Sequence, residues 1–174
     1  EWMKARKFNS VMSYVHESWL AGILNMGVNP NSGPDLIDDD KLVEVKFCLR
    51  SNATNGWTVQ DHQLRYDCRD SRYWALGTYL LKTPVSGIRT TDHLRLEDQV
   101  SFREVWIVEY GWMNQFKKSV CRGIGENGTP WKYLLRYSKM KKLPEAYITS
   151  AVEKGIIHLT EGVSEDHFKS LKYI

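Results

Sequence analysis

The chain contains few cysteines and no long hydrophobic run. Its three cysteines, Cys48, Cys68 and Cys121, form no CxxC pair, which argues against a disulfide framework and against a zinc site. An odd, scattered set of cysteines fits a protein of the reducing cytoplasm. No apolar run approaches the roughly 18 residues that a membrane-spanning helix needs, and the start of the sequence shows no signal-peptide pattern. We therefore expect no association with a membrane.

The charge of the chain is close to balanced. The formal net charge of +3 over 174 residues is mildly basic, which permits binding to nucleic acid without requiring it. The length is enough for one domain with a sizeable core. Because the chain shows no repeat, linker or low-complexity segment, we expect a single domain over residues 1–174.

The pattern of apolar residues predicts an α/β fold. Residues 8–26 have apolar side chains at helical spacing, and Gly27 and Pro30 follow them. Residues 83–100 are polar, contain Pro84 and Gly87, and are expected to form a loop. Strand patterns occupy 36–38, 41–47, 73–81, 104–112, 132–137 and 156–159, and helical patterns occupy 58–69, 143–155 and 164–172. We expect a central mixed β-sheet flanked by helices.

The predicted hairpin at residues 33–47 carries the chemistry. Side chains alternate along a strand, so Glu44 and Lys46 share one face, roughly 6–7 Å apart, and the hairpin can bring Asp35 beside Glu44. Two carboxylates about 4 Å apart repel by about 4 kcal/mol at an effective dielectric of 20. Such a pair needs a cation or a shared proton, and two carboxylates suit Mg²⁺. Lys46 could then orient an attacking water and offset charge on a phosphate.

A second interpretation of the same residues is structural. The stretch would then be an acidic surface hairpin whose charges are solvated and carry no chemistry. Asp38, Asp39 and Asp40 are read as turn residues, although a different register would let one of them replace Asp35.

The order Pro34-Asp35, then Glu44-Val45-Lys46, resembles the signature of the PD-(D/E)xK superfamily of Mg²⁺-dependent nucleases. The resemblance implies a restriction-endonuclease-like core, with Asp35 and Glu44 as metal ligands helped by the Val45 carbonyl, and with Lys46 as the water-positioning residue. Some members carry an acid on the preceding helix, which implies a supporting role for Glu17. A solvated polar position on an amphipathic helix is the alternative for that residue.

Features beyond Lys46 are similar to those of the small homodimeric type II restriction endonucleases of the PvuII type. The segment Gly56-Trp57-Thr58-Val59-Gln60-Asp61-His62-Gln63, the pair Tyr73-Trp74, and residues 143–155 follow in the order of that family. The resemblance implies a homodimer in the cytoplasm of a prokaryotic-type cell that cleaves double-stranded DNA to 5′-phosphate and 3′-hydroxyl ends. The sequence departs from the family in having only His62 where a run of histidines stands, so its base specificity should differ.

Residues 56–72 are the expected DNA-reading segment. Gln pairs with adenine, Asp accepts from cytosine, His donates to guanine, and arginines contact phosphate. The alternative is a polar helix start in solvent, capped by Thr58, with a solvated basic face. The candidate contacts are Trp57, Thr58, Gln60, Asp61, His62, Gln63, Arg65 and Arg69.

Two other functions stay open at this point. A homing endonuclease or a Holliday-junction resolvase of the same superfamily would share the hairpin and differ in substrate. A DNA-binding module without catalytic activity would share the basic surface, although the intact Asp35, Glu44 and Lys46 argue against it.

Overall fold

The structure is a computed structural model that describes residues 2–31, 33–39, 41–50, 56–60, 72–89, 91–109, 121–124, 130–136 and 157–161. The helices are α1 (Trp2–Leu24), a 3-10 turn (Val85–Gly87) and α2 (His93–Gln99). The strands are β1 (Gly27–Val28), β2 (Leu36–Ile37), β3 (Leu42–Leu49), β4 (Gly56–Gln60), β5 (Arg72–Leu81), β6 (Val100–Glu109), β7 (Cys121–Ile124), β8 (Pro130–Arg136) and β9 (Ile157–Glu161).

The main sheet is mixed, as expected from the sequence. Its six strands run in the order β1-β2-β3-β5-β6-β9. Strands β3 and β5 are parallel, and the other neighbours are antiparallel. With helices packed on it, this sheet confirms the mixed α/β class.

Helix α1 covers one face of the main sheet. Its residues Leu20 and Ala21 pack in one buried cluster with Val43 and Val45 of β3, so the alternation that predicts a core face for this strand is confirmed. The helix ends where Asn25 adopts a left-handed backbone, with φ of 54°. Asparagine tolerates that conformation at a helix C-terminus.

A second, three-stranded antiparallel sheet has the order β4-β8-β7. It joins the main sheet through Trp57, whose ring meets Trp106 edge-on at 5.9 Å and whose Nε1 donates to the Gly77 carbonyl at 2.6 Å. The predicted helix over 58–69 is therefore wrong at its start, because residues 56–60 pair with β8 as a strand. The rest of that helix lies outside the described residues.

The segment expected to be a loop at 83–100 contains two helical elements. The 3-10 turn is followed by α2, whose N-cap Asp92 accepts from the backbone N–H of Leu94 and of Arg95. Leu96 anchors α2 with no exposed surface. A short helix with one buried apolar residue gives too weak a period to be recognised from sequence.

The remaining predictions divide into two groups. Strands at 36–37, 42–49, 72–81, 100–109, 130–136 and 157–161 match the expected positions within a few residues. The helices expected at 143–155 and 164–172 lie outside the described residues. Among the helices that the structure describes, none combines the length and the apolarity needed to cross a membrane.

Candidate active site

The β2–β3 hairpin places Asp35 beside the middle of β3. The antiparallel register pairs Leu36 with Val43 and Ile37 with Leu42, so Asp35 follows as the next position, opposite Glu44. The turn is closed by reciprocal backbone hydrogen bonds between Asp38 and Lys41, at 2.9 and 3.2 Å. This register is the one that the sequence pattern suggests.

Beyond Val43, no described strand pairs with the side of β3 that faces β2. We call this side, from Glu44 to Leu49, the open edge of β3. There Asp35 takes the place of a strand partner, because its Oδ2 accepts the backbone N–H of Val45 at 2.7 Å. The N–H and C=O of one residue point to the same side of a strand. The Val45 carbonyl therefore also faces the open edge, next to the Asp35 carboxylate.

The backbone of Asp35 is itself held in position. Its carbonyl accepts from the N–H of Asn29 at 2.8 Å, and the side-chain amide of Asn29 donates to the Pro34 carbonyl at 2.9 Å. The carboxylate is thus presented by a short segment whose Pro34 and Asp35 carbonyls are both bonded to Asn29.

Glu44 and Lys46 lie on the face of β3 that points away from α1, since Val43 and Val45 face the helix. Their side chains form an ion pair, with Lys46 Nζ 2.8 Å from Glu44 Oε1. The Glu44 side chain is 14% exposed and the Lys46 side chain is 28% exposed. Glu44 is in register with the fully buried Trp74 of β5. An ion pair with this little exposure is screened less than one on the surface.

Glu17 of α1 belongs to the same group of charges. Its pKa is raised to about 7, chiefly by burial and also by the charge of Asp35 and, more weakly, that of Glu44, while Lys46 lowers it. Such coupling requires that the carboxyl groups lie close together. Glu17 is thus partly buried and within the influence of these charges, and its role as a supporting acid stays a prediction.

Asp35 is also shifted toward the protonated form. Burial raises its pKa, while the hydrogen bond from the Val45 N–H and the charge of Lys46 lower it. Burial thus shifts both Glu17 and Asp35 toward the protonated form, next to the ion pair of Glu44 and Lys46.

The donor set of this site fits Mg²⁺. In the part of the chain that the structure describes, no three Asp, Glu, His or Cys side chains form a complete protein cage for an ion. Mg²⁺ does not need one, because it keeps several waters and takes one or two carboxylates from the protein together with substrate phosphate. Asp35, Glu44 and the Val45 carbonyl are oxygen donors of this kind at neighbouring positions of the hairpin.

The expected DNA-reading segment is only partly described. Trp57 is 1% exposed and bonded to the Gly77 carbonyl, so the expectation that it contacts DNA is corrected: it is a core residue joining the two sheets. Thr58 is exposed on β4 and in register with Leu134, and Gln60 ends that strand opposite Lys132. The other candidates, Asp61, His62, Gln63, Arg65 and Arg69, lie outside the described residues.

One buried charge beneath α1 was missed from the sequence. Arg103 on β6 is 1% exposed and contacts His16 of α1. The signal was available, because Arg103 has the same strand parity as the core residues Val105 and Ile107. An arginine at a core-facing position needs partners that offset its burial.

Comparisons of this chain with protein-family models, with curated proteins and with solved structures find no match. The function is therefore inferred from the geometry and the chemistry of the site.

Proposed function

We propose that the chain is a Mg²⁺-dependent endonuclease of double-stranded DNA with a restriction-endonuclease-like core. The observation that carries this proposal is the gathering of Asp35, Glu44 and Lys46 around the open edge of β3, with Glu17 coupled to them. A solvated surface hairpin would not leave the side chain of Glu44 only 14% exposed.

Asp35, Glu44 and the Val45 carbonyl would hold the metal ion. When bound, Mg²⁺ would lower the pKa of a coordinated water and offset negative charge on the scissile phosphate. Asp35 is prepared for this role because the Val45 N–H fixes one oxygen at 2.7 Å and leaves the other for a second contact. Glu17 would support the site from α1 by accepting a hydrogen bond from a water molecule.

Lys46 would act directly on the reacting groups. Its ammonium group has three donors, of which one faces Glu44 at 2.8 Å. The others would orient the attacking water and stabilise charge that develops on the phosphate oxygens. Attack by water on phosphorus with loss of the 3′ oxygen leaves a 5′-phosphate and a 3′-hydroxyl. A homodimer would place one such site on each strand of a two-fold DNA sequence.

The test compares Lys46→Ala with the wild-type chain. We expect the wild type to cut phage DNA in Mg²⁺, and we expect Lys46→Ala to lose at least ~10²-fold in rate while binding DNA equally well in Ca²⁺. Lys41→Ala removes the same charge from the hairpin turn and serves as the matched control, which should keep cleavage. Equal cleavage by Lys46→Ala and the control would refute the assignment.

The form of the products distinguishes the possible substrates. Discrete fragments from phage DNA support a sequence-specific enzyme of the restriction or homing type, and a smear indicates a non-specific nuclease. Faster cutting of a four-way junction than of a linear duplex supports a junction resolvase. Binding without cleavage in Mg²⁺ would support a DNA-binding module instead.

A further inference from the structure

Arg103 is a buried cation between the main sheet and α1, in register with Tyr79 of β5 and, through it, with Leu49 of β3. It lies on β6 with 1% of its surface exposed, on the face of the main sheet that α1 covers. A guanidinium group in such a place is tolerated only when its donors are matched by acceptors. The acceptors therefore show which parts of the chain this residue connects.

Two of these contacts are with α1. Arg103 Nε donates to His16 Nδ1 at 3.2 Å, and the guanidinium carbon lies 4.7 Å from the centre of the Trp19 ring. His16 and Trp19 are three residues apart and share one face of the helix. Glu17 lies between them in sequence. Arg103 therefore contacts the turn of α1 that carries Glu17 at a residue before Glu17 and at a residue after it.

The contact through His16 continues to the catalytic strand. The His16 ring stacks on Phe47 with centroids 4.3 Å apart and planes 9° from parallel. Phe47 directly follows Lys46 on β3. The same imidazole thus fixes α1 against β6 through one nitrogen and against β3 through its ring face.

The counter-charge comes from the segment between β5 and β6. Glu97 of α2 accepts from Arg103 with both carboxylate oxygens, Oε1 at 2.8 Å from Nη1 and Oε2 from Nη2. Asp92 begins α2 as its N-cap, and Leu96 anchors it in the core. The segment that contains α2 has no other role in the proposed chemistry, and it places the carboxylate of Glu97 beside the buried arginine.

We propose that Arg103 is a positioning residue for Glu17, acting through His16 and Trp19, and that Glu97 permits it to be buried there. The inference rests on the proposed nuclease function, because Glu17 has a role only if the open edge of β3 is an active site. Arg103 does not touch the substrate. Its effect on cleavage is therefore indirect, and the proposal assigns that effect to the carboxylate of Glu17 rather than to Lys46, which Arg103 also reaches through His16 and Phe47.

A double-mutant cycle tests that dependence. We expect Arg103→Lys to lower the single-turnover cleavage rate by about 10²-fold, because a misplacement of about 1 Å in a site has an effect of that size. In a Glu17→Gln background the same change should lower the residual rate by less than about threefold, since residues that act through one another are not additive. Binding of DNA in Ca²⁺ should change by less than about twofold in all variants.

Glu97→Gln provides a milder variant that keeps the shape of the side chain, in case Arg103→Lys does not fold. It should show a smaller loss of rate and the same dependence on Glu17. Asp98→Asn and Arg95→Lys, two exposed positions on α2, are the matched controls and should cleave as the wild type does.

Three outcomes are informative. Losses that multiply in the double variant would overturn the inference and leave the nuclease function standing, because Arg103 would then act independently of Glu17. A folded Arg103→Lys chain that cleaves at the wild-type rate would overturn it too. A wild-type chain that binds DNA and cuts none in Mg²⁺ would remove the proposed function, and the positioning role with it.

Discussion

Replacing Glu17 by glutamine should stabilise the protein above neutral pH and have little effect in acid. Burial and the neighbouring charge of Asp35 raise the pKa of Glu17 to about 7, against an ordinary value of 4.5. The folded chain therefore holds a proton between these two values that the unfolded chain has released. By linkage, this group favours the folded state below about pH 4.5, and that stability is lost as the pH rises through about 7.

The size of the effect follows from that shift. Each tenfold change in proton affinity corresponds to about 1.4 kcal/mol, so the full difference between pKa values of 4.5 and about 7 is about 3.5 kcal/mol. Because the side chain is partly exposed, solvent screens the interaction, and we expect about 1–2 kcal/mol at pH 8. Glutamine is neutral at every pH and keeps nearly the same volume, so it removes the charge and leaves the packing unchanged.

Urea unfolding at pH 4.5 and pH 8 measures this difference. Glu17→Gln should match the wild-type free energy of unfolding at the lower pH and exceed it by about 1–2 kcal/mol at the higher one. Asp39→Asn, which removes an exposed acid from the nearby hairpin turn, should show no comparable gain. A gain for Glu17→Gln that is the same at both pH values would refute the raised pKa of this residue.

Two further substitutions test the packing around β5. Gly77→Ala should destabilise the fold by about 1–3 kcal/mol, measured as a lower urea midpoint. A Cβ at this position would collide with the ring of Phe47, which is already stacked on His16. An unchanged midpoint would contradict this packing. Trp57→Phe should destabilise by about 1–3 kcal/mol, because it leaves the buried Gly77 carbonyl without the donor that lies 2.6 Å away; a chain as stable as the wild type would restore Trp57 as a candidate for contacts outside the core.

The hairpin could be predicted from sequence because its signals are local. The alternation of Val43, Glu44 and Val45 defines two faces within a few residues, and the run of acids marks the turn. Register then places Asp35 opposite Glu44 without reference to the rest of the chain. The observed pairing and the Asp35–Val45 hydrogen bond agree with this local reading.

The position of Trp57 could not be predicted in the same way. Residues 56–60 become a strand because they pair with β8, which is distant in sequence. The local pattern there suits a helix capped by Thr58 equally well, and tertiary pairing decides between the two. For the same reason, the burial of Trp57 depends on Trp106 and Gly77, and nothing near residue 57 signals it.

The charges at the open edge of β3 raise the question of what keeps α1 in place. Burial of the Glu17 charge and its repulsion by Asp35 and Glu44 together act to move the helix away from the sheet, with an effect of about 1–2 kcal/mol, of which repulsion is the smaller part. Leu20 has no exposed surface, and burial of one such side chain stabilises by about 1.5–3 kcal/mol. Apolar packing alone therefore outweighs the repulsion, so the helix would stay docked without Arg103.

The contribution of Arg103 must then lie in the rotation and height of the turn that carries Glu17, which apolar contacts fix only loosely because they have no preferred direction. This is why we expect a change at Arg103 to affect the cleavage rate far more than it affects the docking of α1.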